Sequence, residues 1–469
     1  MPEIKLFSPA RKGISDDLNP ARILNMQYHT DPYDKTQVSF LNTSGLRQIA
    51  SLGVNPSRGS IVFKDHLYVA TYTDVWKIDS TFAVRSVIGT MLTNSGHVSM
   101  AENGTQLMIV DGANGYIWDD ATFQAITSPD FPGADFVVFK DGYFIFNIPD
   151  TGKAGISSSY DGLVYDALDV KTAEAAPDRL RAILADQSYL WLFGVYTTEL
   201  WYNSGALFPF QRGQNGVIQW GIVAPRSAVN ADNSVFWLGN NNDGEAVVLR
   251  AFGPGSPTII STKGMARDFK AMTNPGDATA FAYMENGEYF YQLNFHTDER
   301  TYVYQMSVKE WFEKDRWDGG RHRAQTHTWF EAARTHVMGD IENGTLYALD
   351  SDIYTDDGVR IRRELDSRII KNNRRRQFHN SIILDCETGV GNADEPDPQV
   401  QLFYSDDNGR SWSSSLPRSI GPKGHYADPP RWNRLGSSVN RVYRVRYTGK
   451  TKFNVFSAYG EIDLAEVDE

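Results

Sequence analysis

Two stretches hold the residue types from which chemistry could be built. SDDNGRSW at 405–412 sets Ser405, Asp407, Gly409 and Trp412 in the Asp-box spacing S-x-D-x-G-x-[ST]-W. A carboxylate two residues after a serine can gather backbone N–H groups in a tight turn. Glycine there supplies positive φ, and the indole plugs the base of the hairpin. The other stretch, VRIRRELDSRIIKNNRRRQF at 359–378, sets Arg360, Arg362, Arg363, Arg368, Lys371, Arg374, Arg375 and Arg376 against Glu364 and Asp366. Guanidinium groups bind carboxylates and phosphates bidentately, which makes this run a candidate interface or DNA contact. It lacks the interleaved aromatics of single-strand readers, so a solvated strand face or a contact to an acidic neighbouring subunit is favoured.

Other reactive groupings are thin. His322, His327 and His336 stand near Asp340, but neither H-E-x-x-H nor a cysteine-supported set accompanies them, and no metal site is expected. Asp119-Asp120 and Asp356-Asp357 fall in expected turns, and no spacing singles out a general acid and a nucleophile. The chain has no P-loop, no βαβ alternation and no GxSxG elbow. Catalytic, cofactor and metal residues are therefore all expected to be none.

The elements that must carry these groups are strands. Acidic or amide residues at Asp65, Asn103, Asp141, Asp186, Asp232, Asn286 and Asn343 mark tight turns between apolar, aromatic-rich runs. Repeats of roughly 40–50 residues, each with several short strands, are the signature of propeller blades. Asn103-Gly104, Asp141-Gly142, Asn286-Gly287 and Asn343-Gly344 all read as type I′ hairpins, whose central positions need positive φ. Runs such as FVVFKDGYFIFNI and YLWLFGVYTTELWY are too short and too β-rich for helices.

The expected fold is all-β: a propeller of about seven blades at 60–358, preceded by an extended arm at 1–59. A smaller β-sandwich-like domain follows at 359–469. The seventh unit is less regular, so six blades plus a strand pair is also compatible.

Composition narrows the function classes. The 469 residues exceed one ordinary core, and 41% hydrophobic content with 13% aromatics can fill several. A formal charge of −12 repels nucleic acid and anionic membranes, which argues against sequence-specific DNA binding. Cys386 is the single cysteine, in keeping with a reducing compartment. The start, MPEIKLFSPARKG, holds no apolar run, and no secretory signal is expected. No stretch of about 18 apolar residues predicts a membrane span.

FPGADFVVFKDGYFIFN, SSSYDGLVYDALDVKTAEAAPDRL, TTELWYNSGALFPFQRGQNGVIQWGIVAPRSAV and VFWLGNNNDGEAVVLRA follow one another along the chain. Together they resemble the packaged-DNA stabilisation, or tail-hub (nozzle), family of short-tailed bacteriophages. The resemblance runs from about residue 45 through EWFEKDRW at 310–317 and resumes in SDDNGRSW and RVYRVRY. The arginine-rich stretch near Arg374 departs from the pattern, which leaves its role open.

The resemblance implies a structural virion protein, not an enzyme. It implies a homohexameric ring below the portal and its adaptor (head-to-tail) ring. Such a ring extends the DNA channel, helps retain the packaged genome and conducts it during ejection without reading its sequence. It also carries a tail needle, fibres or tailspikes. The implied location is the virion tail, assembled in the host cytoplasm, with no cofactor and no small-molecule substrate. An acidic channel wall would keep phosphates from sticking, with repulsion reaching about 8 Å at physiological salt.

The Asp box motivates the alternative, a sialidase-like glycan-active propeller enzyme. Against it, the blade turns read FKDHL, AENGT and FKDGY, without further Asp boxes. A monomeric binding scaffold is a third reading.

Overall fold

The computed structural model describes residues 3–7, 21–30, 38–176, 178–240, 244–426 and 428–464. Among them, seven successive antiparallel sheets cover 57–90, 99–125, 137–172, 180–218, 221–259, 279–314 and 324–350. The innermost strands are Ser57–Phe63, Ser99–Glu102, Val137–Lys140, Leu180–Ala185, Val229–Ala231, Thr279–Glu285 and Ala324–Phe330. Each touches the next, and the seventh touches the first, so the ring closes as a seven-bladed propeller. Hydroxyl pairs join its two ends: Ser57 Oγ lies 2.9 Å from Thr326 Oγ1, and Ser60 Oγ 2.6 Å from Thr328 Oγ1.

The blades stack through near-continuous apolar and aromatic runs, such as Leu107–Val110 and Leu190–Gly194, as a sheet buried on both faces requires. Between the fourth and fifth blades, Trp191, Phe193 and Trp237 pack together, with the two indoles 6.1 Å apart. One short helix, Lys263–Ala271, begins at Thr262, whose hydroxyl accepts the Met265 N–H at 3.2 Å. It buries Met265 and Phe269 against the sixth blade. No helix among the described residues is long and apolar enough to cross a membrane.

The turn markers sort into two kinds. Asp141-Gly142 and Asn286-Gly287 hold two positive φ values each, as a type I′ turn demands. Asn103-Gly104 departs from the expectation: only Gly104 has positive φ, and Asn103 Oδ1 instead accepts the N–H groups of Thr105 and Gln106. An Asx-type turn has replaced the hairpin turn because the loop is two residues longer. Asn343-Gly344 also departs. It joins the second and third strands of its blade, and neither residue has positive φ. The glycine there serves close approach: a Cβ would sit 2.9 Å from the Leu52 carbonyl carbon.

That approach exists because the segment read as an arm supplies the outer strand of the seventh blade. Gly45–Ser51 pairs antiparallel with Thr345–Asp350, so the start and end of the propeller share one sheet. Residues further upstream enter the sandwich, where Met26–Thr30 and Val38–Asn42 form a hairpin beside Val455–Leu464.

The sandwich has two faces. One sheet contains Val455–Leu464, Gln377–Cys386 and Arg431–Asn433. The other contains Arg363–Asp366, Asn440–Tyr447, Gln399–Ser405 and Leu416–Ser419. This second sheet does not stop at the domain edge. The two-residue strand Ile23–Leu24 pairs parallel with Glu310–Lys314 of the sixth blade and antiparallel with Arg363–Asp366. A single ten-stranded sheet therefore runs from propeller to sandwich. The core is continuous too, joining Phe281, Tyr283 and Tyr347 of the blades to Trp432, Tyr443 and Phe453.

Candidate functional site at the domain junction

The junction strand carries a cleft of about 590 Å³ that brings both chemistry-bearing stretches together. Arg362 and Asp366 come from the basic run, and Gly409 and Trp412 from the Asp box. Arg22, Glu313, Asp315 and Arg444 share its polar wall with Glu299, Arg300, Lys314 and Arg410.

Cross-strand register builds the charge pairs. Glu364 lies opposite Arg446, and Asp366 opposite Arg444, on neighbouring antiparallel strands. Arg444 grips Asp366 with both ends of its fork, Nε to Oδ1 at 2.6 Å and an Nη to Oδ2 at 2.7 Å. Arg446 Nε donates to Glu364 Oε1 at 2.6 Å. From the propeller side, Glu313 accepts Arg22 Nε at 2.9 Å, and Asp315 pairs with Arg362.

Burial and the guanidiniums compete over these carboxylates. Glu364 is 1% exposed, and burial works to raise its pKa. Arg444, Arg446, Arg22 and Arg362 outweigh burial and hold it below the usual carboxylate range. For Asp366 burial wins over Arg444, and the group is pushed up; Asp315 is likewise raised by burial. Each of the four carboxylates already holds an arginine, so the chemistry of the cleft is fastening. Burying the carboxylates costs much of what each pairing returns, so these pairs fix geometry more than they add net stability.

The basic run is divided by the fold. Arg363 is fully buried and donates to the carbonyls of Gly449 and Tyr354 at 3.2 and 3.0 Å. Exposed Arg360 reaches Thr448 O at 3.3 Å and Glu395 at 3.6 Å. Arg363 is thus spent inside the chain, while Arg362 lines the cleft and is held there by Asp315. Arg368, Lys371, Arg374, Arg375 and Arg376 are exposed. Of these, Arg374 has φ 61° and Arg376 donates to Ser437 Oγ at 3.0 Å.

The Asp-box turn is held by its own hydroxyl and N–H groups. Asp407 Oδ1 accepts the Ser405 hydroxyl at 2.7 Å and the Ser411 N–H at 2.8 Å, while Gly409 N–H donates to Ser405 Oγ at 2.8 Å. The hydroxyl and backbone bonds of Ser411, with that of Ser405, hold Asp407 well below the usual carboxylate range. Trp412 carries the Arg444 guanidinium 4.0 Å above its ring. The turn thereby props the arginine that binds Asp366.

The histidines do not converge. His327 Nε2 meets His336 Nδ1 at 2.9 Å, His322 sits against Gln292, and Asp340 takes Arg323 and Tyr347. Among the described residues no group of three or more His, Cys, Asp or Glu could hold a metal ion.

Sequence reasoning missed Arg22, Asn25, Glu313 and Asp315. The alternation of RELD against RVRY was a usable signal for the Glu364 and Asp366 pairs. Arg22 and Asn25 stand in a segment without periodicity and offered none.

Two family models divide the chain as the fold does. The one described as the β-propeller of bacteriophage P22 Gp10 matches residues 9–354, and that of the Gp10 β-sandwich matches residues 362–463. The chain belongs to the bacteriophage P22 Gp10 family.

Gp10 is a structural protein of the phage tail, which bears out the resemblance to the tail-hub, DNA-stabilisation family. It also bears out a propeller followed by a C-terminal sandwich. In Gp10 terms, the cleft lies where the two family domains meet. Among curated proteins none matches this chain.

Two solved structures show a partial likeness to the chain. One is a chain from a structure of an S. cerevisiae Dbp5 variant bound to Nup159, a Gle1 variant, IP6 and ADP. It has 10% identity and a TM-score of 0.40, covering 65% of this chain and 95% of that one. The other is the N-terminal domain of Nup159, at 11% identity and a TM-score of 0.41, covering 70% and 98%. Likeness at this level carries nothing about function.

Proposed function

We propose that this chain is a rigid, non-enzymatic segment of tail tubing. Six copies form a ring below the portal and adaptor, extend the DNA channel, help retain the genome and conduct it at ejection. The observation that carries the reading is the match of both Gp10 domains across nearly the whole chain. The welded sheet at 23–24 supports it, because a conduit under pressure needs domains that do not swing. Net acidity supports it as well, since six chains each at −12 would not adsorb DNA phosphates.

The exposed arginines at 374–376 are the surface we assign to an acidic neighbour in that assembly, a second copy or an adjoining ring protein. Virion-tail location, assembly in the host cytoplasm, and contacts with a needle, fibres or tailspikes belong to the same proposal.

Native mass spectrometry of the chain, alone and mixed with its portal–adaptor complex, tests it. The expected species is six times 52.7 kDa, formed on the adaptor. A chain that stays monomeric with the adaptor, or that turns over a sialoside or another glycan, defeats the proposal.

A further inference from the structure

Around the propeller axis, where the seven innermost strands begin, lies a partly enclosed cavity of about 920 Å³. Small-molecule sites have this size. Its wall inverts the sign of the chain. Arg58, Arg181 and Arg226 line it against Asp135 and Asp277, in a protein of formal charge −12. Arg179, also on the wall, is neutralised by Asp150 at 3.0 Å.

The three cations differ in what they have left to give. Arg58 is 5% exposed and directs its donors to neutral oxygens: Gly96 O, Thr93 O and Thr93 Oγ1, each at 2.8 Å, with Ser95 O and Tyr72 O. It is a fixed charge, linked to Asp111 only through the Thr93 hydroxyl. Half-buried Arg226 lies over the Phe136 ring at 5.1 Å, and its side chain has no hydrogen bond or ion pair with any described residue. Exposed Arg181 likewise has none among them.

The two acids offset only part of this charge, two against three. Asp277 is taken by the N–H groups of His296 and Thr297 and by the Thr297 hydroxyl, and Asp135 by Asn147. Burial, opposed by Asp135 and reinforced by Arg58, pushes the Arg226 guanidinium down to about 10. Two arginines with unused forks beside a third, immobile positive charge form a cradle for negative oxygens.

We propose that the axial cavity binds a small polyanion of the polyphosphate class, gripped by Arg226 and Arg181 and drawn in by the charge of Arg58. More than one phosphoryl group is required, because the free guanidiniums belong to different blades, the fourth and the fifth. The site is separate from the domain junction, since the two share no lining residue.

Calorimetric titration of the purified full chain with sodium tripolyphosphate, against sodium chloride at equal ionic strength, tests it. One saturable site is expected, with a rise in Tm. Arg226→Gln should weaken binding roughly ten-fold and Arg181→Gln a few-fold, both with an unchanged circular dichroism spectrum. Should Arg226→Gln fail to fold, the exposed Arg181→Gln decides alone. The absence of saturable heat, or variants that bind as tightly as the parent, would overturn the proposal. So would an oligothymidylate that occupies the cavity in preference to tripolyphosphate, since the site would then read a nucleic-acid strand.

Discussion

Asn25 and Asp315 bond each other three times across 290 residues of chain. Asn25 Nδ2 donates to Asp315 Oδ1 at 2.7 Å and to the Asp315 carbonyl at 3.2 Å, and Asn25 Oδ1 accepts the Asp315 N–H at 3.1 Å. The same amide donates to Arg362 O at 2.8 Å, so one buried side chain touches the sixth blade and the sandwich approach together. Its own backbone sits at φ 52°, a conformation that asparagine tolerates better than most residues.

Asn25→Gly keeps that backbone and removes the amide. Asp315 then loses a donor in a buried setting, at a cost of about 1–3 kcal/mol. Urea unfolding should show a lower midpoint, and Asn25→Asp should be worse because it sets one carboxylate against another. Equal stability of all three proteins would show that the junction does not depend on this pair.

Charge reversal at Arg374, Arg375 and Arg376 should leave the monomer folded, with Tm unchanged within a degree or so, because these side chains are exposed. Ring formation, followed by native mass spectrometry, should fall sharply. Normal rings with poor genome retention would instead assign the loop to DNA.

Gly344→Ala should loosen the closure of the propeller. The added methyl group meets the Leu52 carbonyl carbon at 2.9 Å and the Gly53 nitrogen at 3.0 Å, both backbone atoms that cannot rotate away. A loss of about 1–3 kcal/mol is expected in chemical denaturation. Gly53→Ala, with open space around its Cβ but φ of 113°, separates backbone strain from the steric clash.

Acid should act through buried histidine. His379, its Nε2 2.9 Å from Ser438 Oγ, is held down to about 4 by burial first and by Arg441 second. Unfolded, it titrates near 6.5. Its contribution is therefore full above about pH 6.5 and is lost as the pH falls to about 4, because the unfolded chain binds the proton first. His379→Gln should look costly at pH 7.5 and gain on the parent by on the order of 2 kcal/mol at pH 4. Parallel stability curves for the two proteins would refute this assignment.

Much of the fold was legible because strands and turns are written locally. Short apolar, aromatic-rich runs bounded by turn residues mark the blade strands, and Asp141-Gly142 and Asn286-Gly287 set two of the reversals. The Asp-box turn was readable for the same reason: its bonds span no more than four residues. The opposed charges of RELD and RVRY were readable in principle, since register places them face to face.

What the chain alone could not determine is which distant segments close the structure. Gly45–Ser51 completes the seventh blade, and Ile23–Leu24 joins the two domains, although the first lacks a regular apolar pattern and the second is only two residues long. Arg363 and Arg374 look alike in sequence, yet one is fully buried and the other exposed. Local pattern records what a residue prefers beside its neighbours. Burial, and the partner that a charge finds, depend on contacts across hundreds of residues, which packing alone selects.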